Sequence, residues 1–319
     1  LRKGVVISMV FPSLNILSSI AIAIIVWVGA NSVFAGAISA GTWFLFIQGV
    51  DRFWFPFMNL SSFWSQFQQG LSAAERIFAL IDADNTVNQI NDQKVVQLEG
   101  HIVFDDVDFA YVANQPILDK FNIDIKPGES VAFVGHTGAG KSTIAKLITR
   151  FYDFQGGTIR IDGEDIRAFD IQSYRSRLGI VPQQPFLFSG TVLDNIRYGS
   201  PDATEEEILD ISTSIGNGEW LESLPEGLYT NVGERGARLS MGQRQLVSLL
   251  RVMVQKPSIF ILDEATASID PFTETQIQEA IDLILSQSTS ILIAHRLSTV
   301  RSADRIIVLS NGTIIEEGS

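Results

Sequence analysis

The 319-residue sequence contains no cysteine. That absence excludes disulfide scaffolds, thiolate metal sites and cysteine nucleophiles, and it suits a reducing compartment. Basic residues are also few: 23 Lys and Arg stand against 36 Asp and Glu, for a net charge of −13. Because nucleic-acid affinity comes mainly from Lys and Arg on phosphates, we expect no nucleic-acid partner. A hydrophobic content of 46% excludes a disordered tail.

No charged residue occurs between Gly4 and Val50. One membrane helix needs roughly 20 apolar residues, so this stretch is too long for a single span and far too long for a signal peptide. We predict two spans, at about residues 5–28 and 41–64, with the small residues from Gly29 to Ser39 between them and the second helix continuing toward residue 80. The alternative is a buried helical hairpin of a soluble protein.

The few charges near these spans predict their orientation. Arg2, Lys3 and Arg76 flank them, and the positive-inside bias places both ends in the cytoplasm. The pair Asp51-Arg52 falls inside the second predicted span, where charge usually faces a bundle interior or water. The alternative is that the span boundary is misplaced and that the pair lies near the end of the span. Pro56 follows closely, and a proline at this position can kink the helix. These features predict a multi-pass protein of the cell membrane, with the lipid bilayer as a partner.

The composition changes after residue 80. Residues 1–80 carry a net charge of +2 and the remainder −15. Residues 81–98 read as a polar linker, and from Glu99 short apolar runs alternate with helical stretches. The runs at 131–134, 259–262, 290–294 and 305–309 predict buried strands; 142–150 and 274–285 predict helices. This alternation favours an α/β domain with a mainly parallel sheet over residues 99–319.

Residues 135–143 match the P-loop pattern Gly-x4-Gly-Lys-Ser/Thr, with a predicted strand before it and a helix after it. Glycines let backbone N–H groups approach phosphate oxygens, and a helix N-terminus adds partial positive charge. We expect Lys141 to reach the β- and γ-phosphates and the Ser142 hydroxyl to bind Mg²⁺. The predicted ATP-binding residues of this segment are Gly135, Thr137, Gly138, Ala139, Gly140, Lys141, Ser142 and Thr143.

An apolar run at 258–262 ends in two acids. A strand there would bring Asp263 beside the P-loop, where its carboxylate can bind Mg²⁺, and Glu264 could polarise an attacking water. The alternative is a surface acid pair after a core strand.

The run Leu239-Ser240-Met241-Gly242-Gln243 resembles the Leu-Ser-Gly-Gly-Gln signature of ATP-binding cassette (ABC) transporters. The resemblance extends over residues 99–319. It implies that Gln183 is the Q-loop residue and a further Mg²⁺ ligand, Asp270 the D-loop residue and His295 the switch histidine. It also implies that Tyr111 stacks on adenine.

For the fold, the resemblance implies an α/β P-loop NTPase (ABC ATPase) domain with a helical subdomain, preceded by an all-α transmembrane segment of two helices. For the activity, it implies ATP hydrolysis coupled to export, with Glu264, His295 and Gln183 catalytic. Two nucleotide-binding domains would pair head to tail. Ser240, Met241, Gly242 and Gln243 of one chain would then act on the partner's ATP.

Further segments resemble the exporter branch of this family. The motif at 230–236 resembles one that contacts the membrane domain, and residues 72–78 resemble the end of a last transmembrane helix. Residues 5–80 would then be spans five and six of six, and the sequence is expected to be a fragment of a half-transporter. Its substrate stays open among small molecules, lipids and peptides. The alternatives are a soluble ABC ATPase, an importer subunit and a regulatory nucleotide-binding subunit.

Met241 departs from the family pattern, which has glycine at the third signature position. Some exporters pair one competent with one impaired ATP site, and an altered signature impairs the site on the partner's P-loop. We therefore slightly favour a heterodimer of two half-transporters. The alternative is a homodimer in which Met241 faces outward and has no effect.

Overall fold

The structure is a computed structural model that describes residues 2–82, 87, 89–263, 269–293 and 300–318. The chain divides into two compact units, Leu1–Asp84 and Asn85–Ser319. Each unit is described by itself below.

The first unit is a pair of long helices, α1 (Arg2–Phe34) and α2 (Ala40–Ile81). The first helix runs past the predicted end at residue 28, because two residues expected in the turn continue it. Asn31 Nδ2 donates to the carbonyl of Trp27 and Ser32 Oγ to that of Val28, each at 3.0 Å, as polar side chains inside helices do. The turn lies instead at residues 35–39.

Membrane-spanning character is uneven along these helices. Within the described residues, Asn15–Phe34 has the length and apolar composition of a membrane span, with a mean hydropathy of 2.1. In α2 the apolar stretch is Ala40–Val50, which is shorter than the second predicted span. Its apolar run stops there because Asp51 and Arg52 follow. The helix itself continues through Pro56 to Ile81.

The second unit is built on a six-stranded sheet with the order β10-β9-β3-β8-β7-β6. All neighbouring strands are parallel except β10, which runs antiparallel to β9. The predicted mainly parallel sheet is confirmed. The strands are β3 (Ser130–Gly135), β6 (Leu178–Val181), β7 (Ile259–Asp263), β8 (Thr289–Ile293), β9 (Arg305–Ser310) and β10 (Thr313–Gly318).

A second, antiparallel sheet packs beside this one, with the order β2-β1-β4-β5. Its strands are β1 (Ile102–Ala110), β2 (Pro116–Ile125), β4 (Gly156–Ile161) and β5 (Glu164–Asp165). In β1, Ile102 and the next residue but one, Phe104, are buried in one core together with residues of β3 and β8, and a bulge then shifts the register so that Val107 is buried there too. Half-buried strands of this kind show the two-residue period expected for a sheet with one covered face.

Within the described residues, the named α-helices of this unit are α3 (Lys141–Ile148), α4 (Ile171–Arg175), α5 (Val192–Arg197), α6 (Glu205–Thr213), α7 (Glu219–Glu222), α8 (Met241–Gln255) and α9 (Pro271–Leu285). Helices α5 to α8 form a helical subdomain around the buried Trp220, whose indole Nε1 donates to the Ser212 carbonyl at 2.8 Å. The amphipathic α8 buries Leu246 and Leu250 in the same core as Leu262 of β7.

Part of the predicted linker is attached to the second unit. The backbone N–H of Ile90 donates to the Arg167 carbonyl at 3.0 Å, and that of Gln93 to the Ala168 carbonyl at 3.1 Å. Further along, Val95 is buried. The polar composition of this segment gave no sign that its backbone is hydrogen-bonded to the second unit from Ile90 onward, nine residues before Glu99.

Asp304 joins the starts of β3 and β9. The Ser130 backbone N–H and hydroxyl donate to its carboxylate at 2.9 and 2.6 Å. These bonds, the hydroxyl's above all, hold the pKa of Asp304 below its ordinary value. The ionised carboxylate therefore stabilises the fold above the unfolded-state pKa of about 3.9, and this contribution is lost as pH falls through the lower folded-state pKa.

We predict that Asp304→Asn lowers the thermal unfolding temperature of the second unit by about 2 °C at pH 7, a small effect because the side chain is exposed. The difference should shrink toward pH 3. Differential scanning fluorimetry of the wild type and the variant at the two pH values checks this. An equally large difference in unfolding temperature at pH 3 would contradict it.

Candidate functional site

The carboxyl ends of four neighbouring parallel strands meet at one edge of the six-stranded sheet. Phe133 of β3 and Asp263 of β7 both pair with Ile293 of β8, and Val181 of β6 pairs with Leu262 of β7. The loops that leave β3, β6, β7 and β8 therefore start side by side. In parallel α/β sheets this edge is where ligands bind.

Glycine conformations shape the loop between β3 and α3. Gly135 has φ +150°, and a Cβ there would lie 2.3 Å from the Leu309 carbonyl oxygen, so no side chain fits. Gly138 has φ +85° with open space around it, and Gly140, at φ +105°, begins α3 without a side-chain cap. The first N–H groups of α3 are thus left to bind an anion. The other predicted residues of this segment follow in the loop and the first turn: Thr137, Ala139, Ser142 and Thr143.

Lys141 folds back into this loop. Its Nζ donates to the carbonyls of Gly135 at 2.7 Å and His136 at 3.0 Å. Burial lowers the pKa of Lys141, and the negative charge of Asp263 opposes that shift. The P-loop ammonium and the carboxylate at the end of β7 therefore share one electrostatic environment.

An aromatic cluster lies beside the P-loop helix. The Tyr111 hydroxyl is 3.2 Å from Thr143 Oγ1, and its ring packs edge-to-face against Phe109 and Tyr152, with centroids 4.8 and 5.0 Å apart. Lys146 Nζ lies 5.3 Å from the Tyr111 ring centroid. Tyr111 remains 41% exposed, so the ring can accept a ligand.

Tyr152 and Lys146 are members of this cluster that the sequence did not reveal. Their spacing along the chain carries no motif, and an aromatic residue just after α3 is as typical of a core as of a site. Only the fold brings Tyr152 against Tyr111, whose position the family resemblance had supplied.

Two further predicted site residues lie at or just beyond the strand ends that share this edge. Asp263 is the last residue of β7, and Gln183 is exposed two residues beyond β6. Glu264 and His295 lie outside the described residues. In the chain, Glu264 directly follows β7 and His295 comes two residues after β8.

The signature residues form the start of α8. Ser240 is its N-cap: Ser240 Oγ accepts from the Gln243 N–H at 3.1 Å, while Gln243 Oε1 accepts from the Ser240 N–H at 2.9 Å. This reciprocal capping box fixes the helix end. Met241 is the first helical residue and is 39% exposed, with its sulfur 3.7 Å from Arg244 Nη2.

Gly242 links the signature to the D-loop. A Cβ at this buried residue would lie 2.4 Å from Thr273 Cγ2 and 3.1 Å from Ile269 Cγ2. Thr273 is in turn capped by Asp270, whose Oδ1 accepts from the Thr273 N–H at 2.9 Å. That hydrogen bond lowers the pKa of Asp270. Gly242 and Asp270 are 28 positions apart in sequence, and the two motifs thus pack together.

The segment 230–236 is fastened to residues that follow Gln183. The Val192 N–H donates to the Thr230 carbonyl at 3.0 Å, and the Val232 N–H to the Gly190 carbonyl at 2.9 Å. The exporter-branch motif and the chain at residues 190–192 are therefore held together by backbone hydrogen bonds.

Two of the three glycines of the P-loop give a matched test. We predict that Gly135→Ala lowers the unfolding temperature markedly, since its Cβ meets a backbone oxygen. Gly138→Ala should cost only the strain of a left-handed alanine, about 1–2 kcal/mol. Thermal unfolding of the two variants checks this, and equal losses would contradict the packing described at Gly135.

The chain is similar to transporter proteins over nearly its whole length. Residues 118–267 match the family model described as ABC transporter. Over 97% of its length the chain is 44% identical to the uncharacterized ABC transporter ATP-binding protein YknV of Bacillus subtilis (strain 168). Over 97% it is also 40% identical to the ATP-dependent lipid A-core flippase of Syntrophus aciditrophicus (strain SB). It covers 51% of each relative.

A solved structure shares the fold. The structure of a bacterial Atm1-family ABC exporter with ATP bound matches with a TM-score of 0.70 at 35% identity, over 97% of this chain and 55% of that one. The chain thus spans about half the length of the relatives that it matches. The P-loop, the signature and the exporter motif all lie in its second unit. The second unit therefore contains an ABC ATPase domain, and the chain as a whole is similar to ABC exporters.

Proposed function

We propose that the chain is the ATP-binding and ATP-hydrolysing part of an exporter that couples hydrolysis to movement of a substrate across a membrane. The observation that carries the proposal is the placement of Lys141. It lies in a glycine loop at a helix N-terminus, within electrostatic reach of Asp263. The similarity of both units to exporters over 97% of the chain supports the coupling to transport.

In this proposal the phosphates of ATP replace the loop carbonyls as partners of Lys141. The ammonium and the free N–H groups of α3 supply positive charge without a change of fold. Tyr111 stacks on the adenine, and its hydrogen bond to Thr143 ties base recognition to the phosphate loop. Rate enhancement then comes mainly from positioning and charge stabilisation.

Mg²⁺ fits the residues beside the loop. The Ser142 hydroxyl, the Asp263 carboxylate and the Gln183 amide supply hard oxygen donors of the kind that this ion prefers. When bound, the ion would neutralise developing charge on the phosphate oxygens. Glu264 is proposed to orient or deprotonate the attacking water, and His295 to contact the γ-phosphate.

We infer that two nucleotide-binding domains share their ATP sites. Ser240 and Gly242 begin α8, so its partial positive charge is directed out of the domain, toward the γ-phosphate held by the partner. Asp270, packed against the same surface through Thr273, would lie at that interface. The dimer partner is therefore part of the catalytic unit.

The two units are proposed to work in different solvents. Residues 1–80 would lie in the membrane, 81–98 connect, and 99–319 form the cytoplasmic ATPase. The exposed apolar side chains of α1, with Trp27 71% exposed, support contact with lipid. A lipid or drug-like substrate is suggested by relatives named as a lipid A-core flippase and a multidrug efflux protein, and a peptide stays an alternative. A soluble ABC ATPase would have no use for these exposed apolar helices.

Glu264→Gln separates binding from hydrolysis. We predict that this variant binds ATP with near wild-type affinity but loses at least 90% of its turnover, because an amide keeps the shape and cannot act as a base. The control Lys141→Ala should lose binding itself. Fluorescent-ATP titration and phosphate release on the full chain measure both. Wild-type turnover in Glu264→Gln would remove this residue from catalysis.

The partner is proposed to be a second, non-identical half-transporter. Met241 is exposed at the end of α8 that would meet the partner's ATP. Its backbone is helical, so this position does not require the conformational freedom of glycine. Any effect of the substitution must then come from the bulk of the side chain, even though its sulfur lies near Arg244.

We predict that the full-length half expressed alone hydrolyses ATP slowly, and that Met241→Gly and Met241→Ala each raise its turnover at least threefold. The alanine variant is the matched control, because it removes bulk without adding flexibility. Steady-state ATPase assays decide. Full-rate hydrolysis by the unmodified homodimer, with no gain in either variant, would favour a homodimer.

A further inference from the structure

The segment that follows Gln183 is held by one buried side chain. Asn195 of α5 is 1% exposed, and its amide Nδ2 donates to the carbonyls of Phe188 and Thr191, both at 2.9 Å. Its Oδ1 accepts from the Phe188 N–H at 2.8 Å. One side chain thus fixes both polar groups of the Phe188 backbone, five residues after Gln183.

Arg251 of α8 reaches the same segment from the other side. Its guanidinium donates to the Asn195 carbonyl at 2.9 Å, to Asn195 Oδ1 at 3.1 Å and to the Phe186 carbonyl at 3.2 Å. It also lies 5.6 Å from the Tyr198 ring centroid. Burial lowers the pKa of Arg251. All three acceptors are uncharged, so the rigid fork of the guanidinium, rather than charge pairing, is what the site uses.

The backbones also touch at this point. A Cβ at Gly199, just beyond α5, would lie 2.1 Å from the Arg251 carbonyl oxygen. The chain after α5 therefore rests directly on α8 at the residue whose side chain reaches the Q-loop segment. The chain after α5 and helix α8 are close-packed there, with no space for a side chain between them.

We propose that Arg251 and Asn195 are positioning residues that make the Gln183 segment and the signature helix α8 one rigid unit. The proposal rests on the proposed function, in which Gln183 serves the chain's own ATP and Ser240 the partner's. Arg251 is 11 residues beyond Ser240, or about 16 Å along the helix. Displacement of Gln183 is thereby transmitted to the helix end that faces the second nucleotide.

Arg251→Met tests the connection, and Gln255→Met is its matched control. Gln255 is on the same helix, and its Nε2 donates to the carbonyls of Ser176 and Leu178 at 3.0 and 2.9 Å, at the opposite end of β6 from Gln183. Both variants lose backbone-directed hydrogen bonds and should unfold at lower temperature. Only Arg251→Met should alter the Gln183 segment.

We expect Arg251→Met to bind ATP within twofold of wild type, to lose at least fivefold in kcat and to need more Mg²⁺ for half-maximal turnover. The kcat and Mg²⁺ requirement of Arg251→Lys should lie between those of the wild type and of Arg251→Met, since one ammonium cannot bind three divergent acceptors. Gln255→Met should keep the wild-type kcat and Mg²⁺ dependence. Equal kinetics in Arg251→Met and Gln255→Met would overturn the proposal.

Hydrogen exchange separates this proposal from the proposed function. In the nucleotide-free full chain, Arg251→Met should speed exchange both at 186–198 and at 240–244, whereas Gln255→Met should change neither. Faster exchange at 186–198 alone would overturn the coupling. If the wild-type protein has no ATPase activity but the two variants show this exchange pattern, the proposed hydrolysis is refuted and the rigid unit is still supported.

Discussion

The parallel register of β3, β8, β7 and β6 is the constraint on which the rest of the site depends. It places the carboxyl ends of the four strands in one row, so that the loop of Lys141, the acid Asp263 and the segment of Gln183 start from one edge of the sheet. Lys141 is held at the β3 end of this row by two loop carbonyls, with Asp263 close enough to affect its pKa. A shift in the register of β7 against its neighbours would separate these two charges.

Contiguous motifs made much of this site predictable from the sequence. The P-loop fits in nine residues, and its flanking strand and helix are strongly patterned, so β3, α3 and β7 were located within a few residues. The antiparallel sheet and the helical subdomain were not assigned residue by residue, because their elements are short and their cores depend on distant partners such as Trp220. The turn after α1 was misplaced because Asn31 and Ser32 bond back to their own helix.

Contacts between motifs were beyond the sequence for a related reason. The packing of Gly242 on Thr273, and of Tyr152 on Tyr111, joins residues whose spacing carries no period. Polar composition was equally uninformative at 90–98, where backbone hydrogen bonds and the buried side chains of Val95 and Leu98 attach the chain. What a sequence cannot show is which element will present its free backbone groups to a given segment.

Ser240 illustrates how a structural role leaves room for a catalytic one. As an N-cap its oxygen accepts one hydrogen bond from Gln243, which stabilises α8. A hydroxyl has one donor and two acceptor sites, so the O–H of Ser240 is still available to a phosphate oxygen. The capping box meanwhile prevents the helix end from fraying. In the proposed dimer, the signature can therefore hold its shape before the partner's nucleotide arrives, and binding would require no reordering of α8.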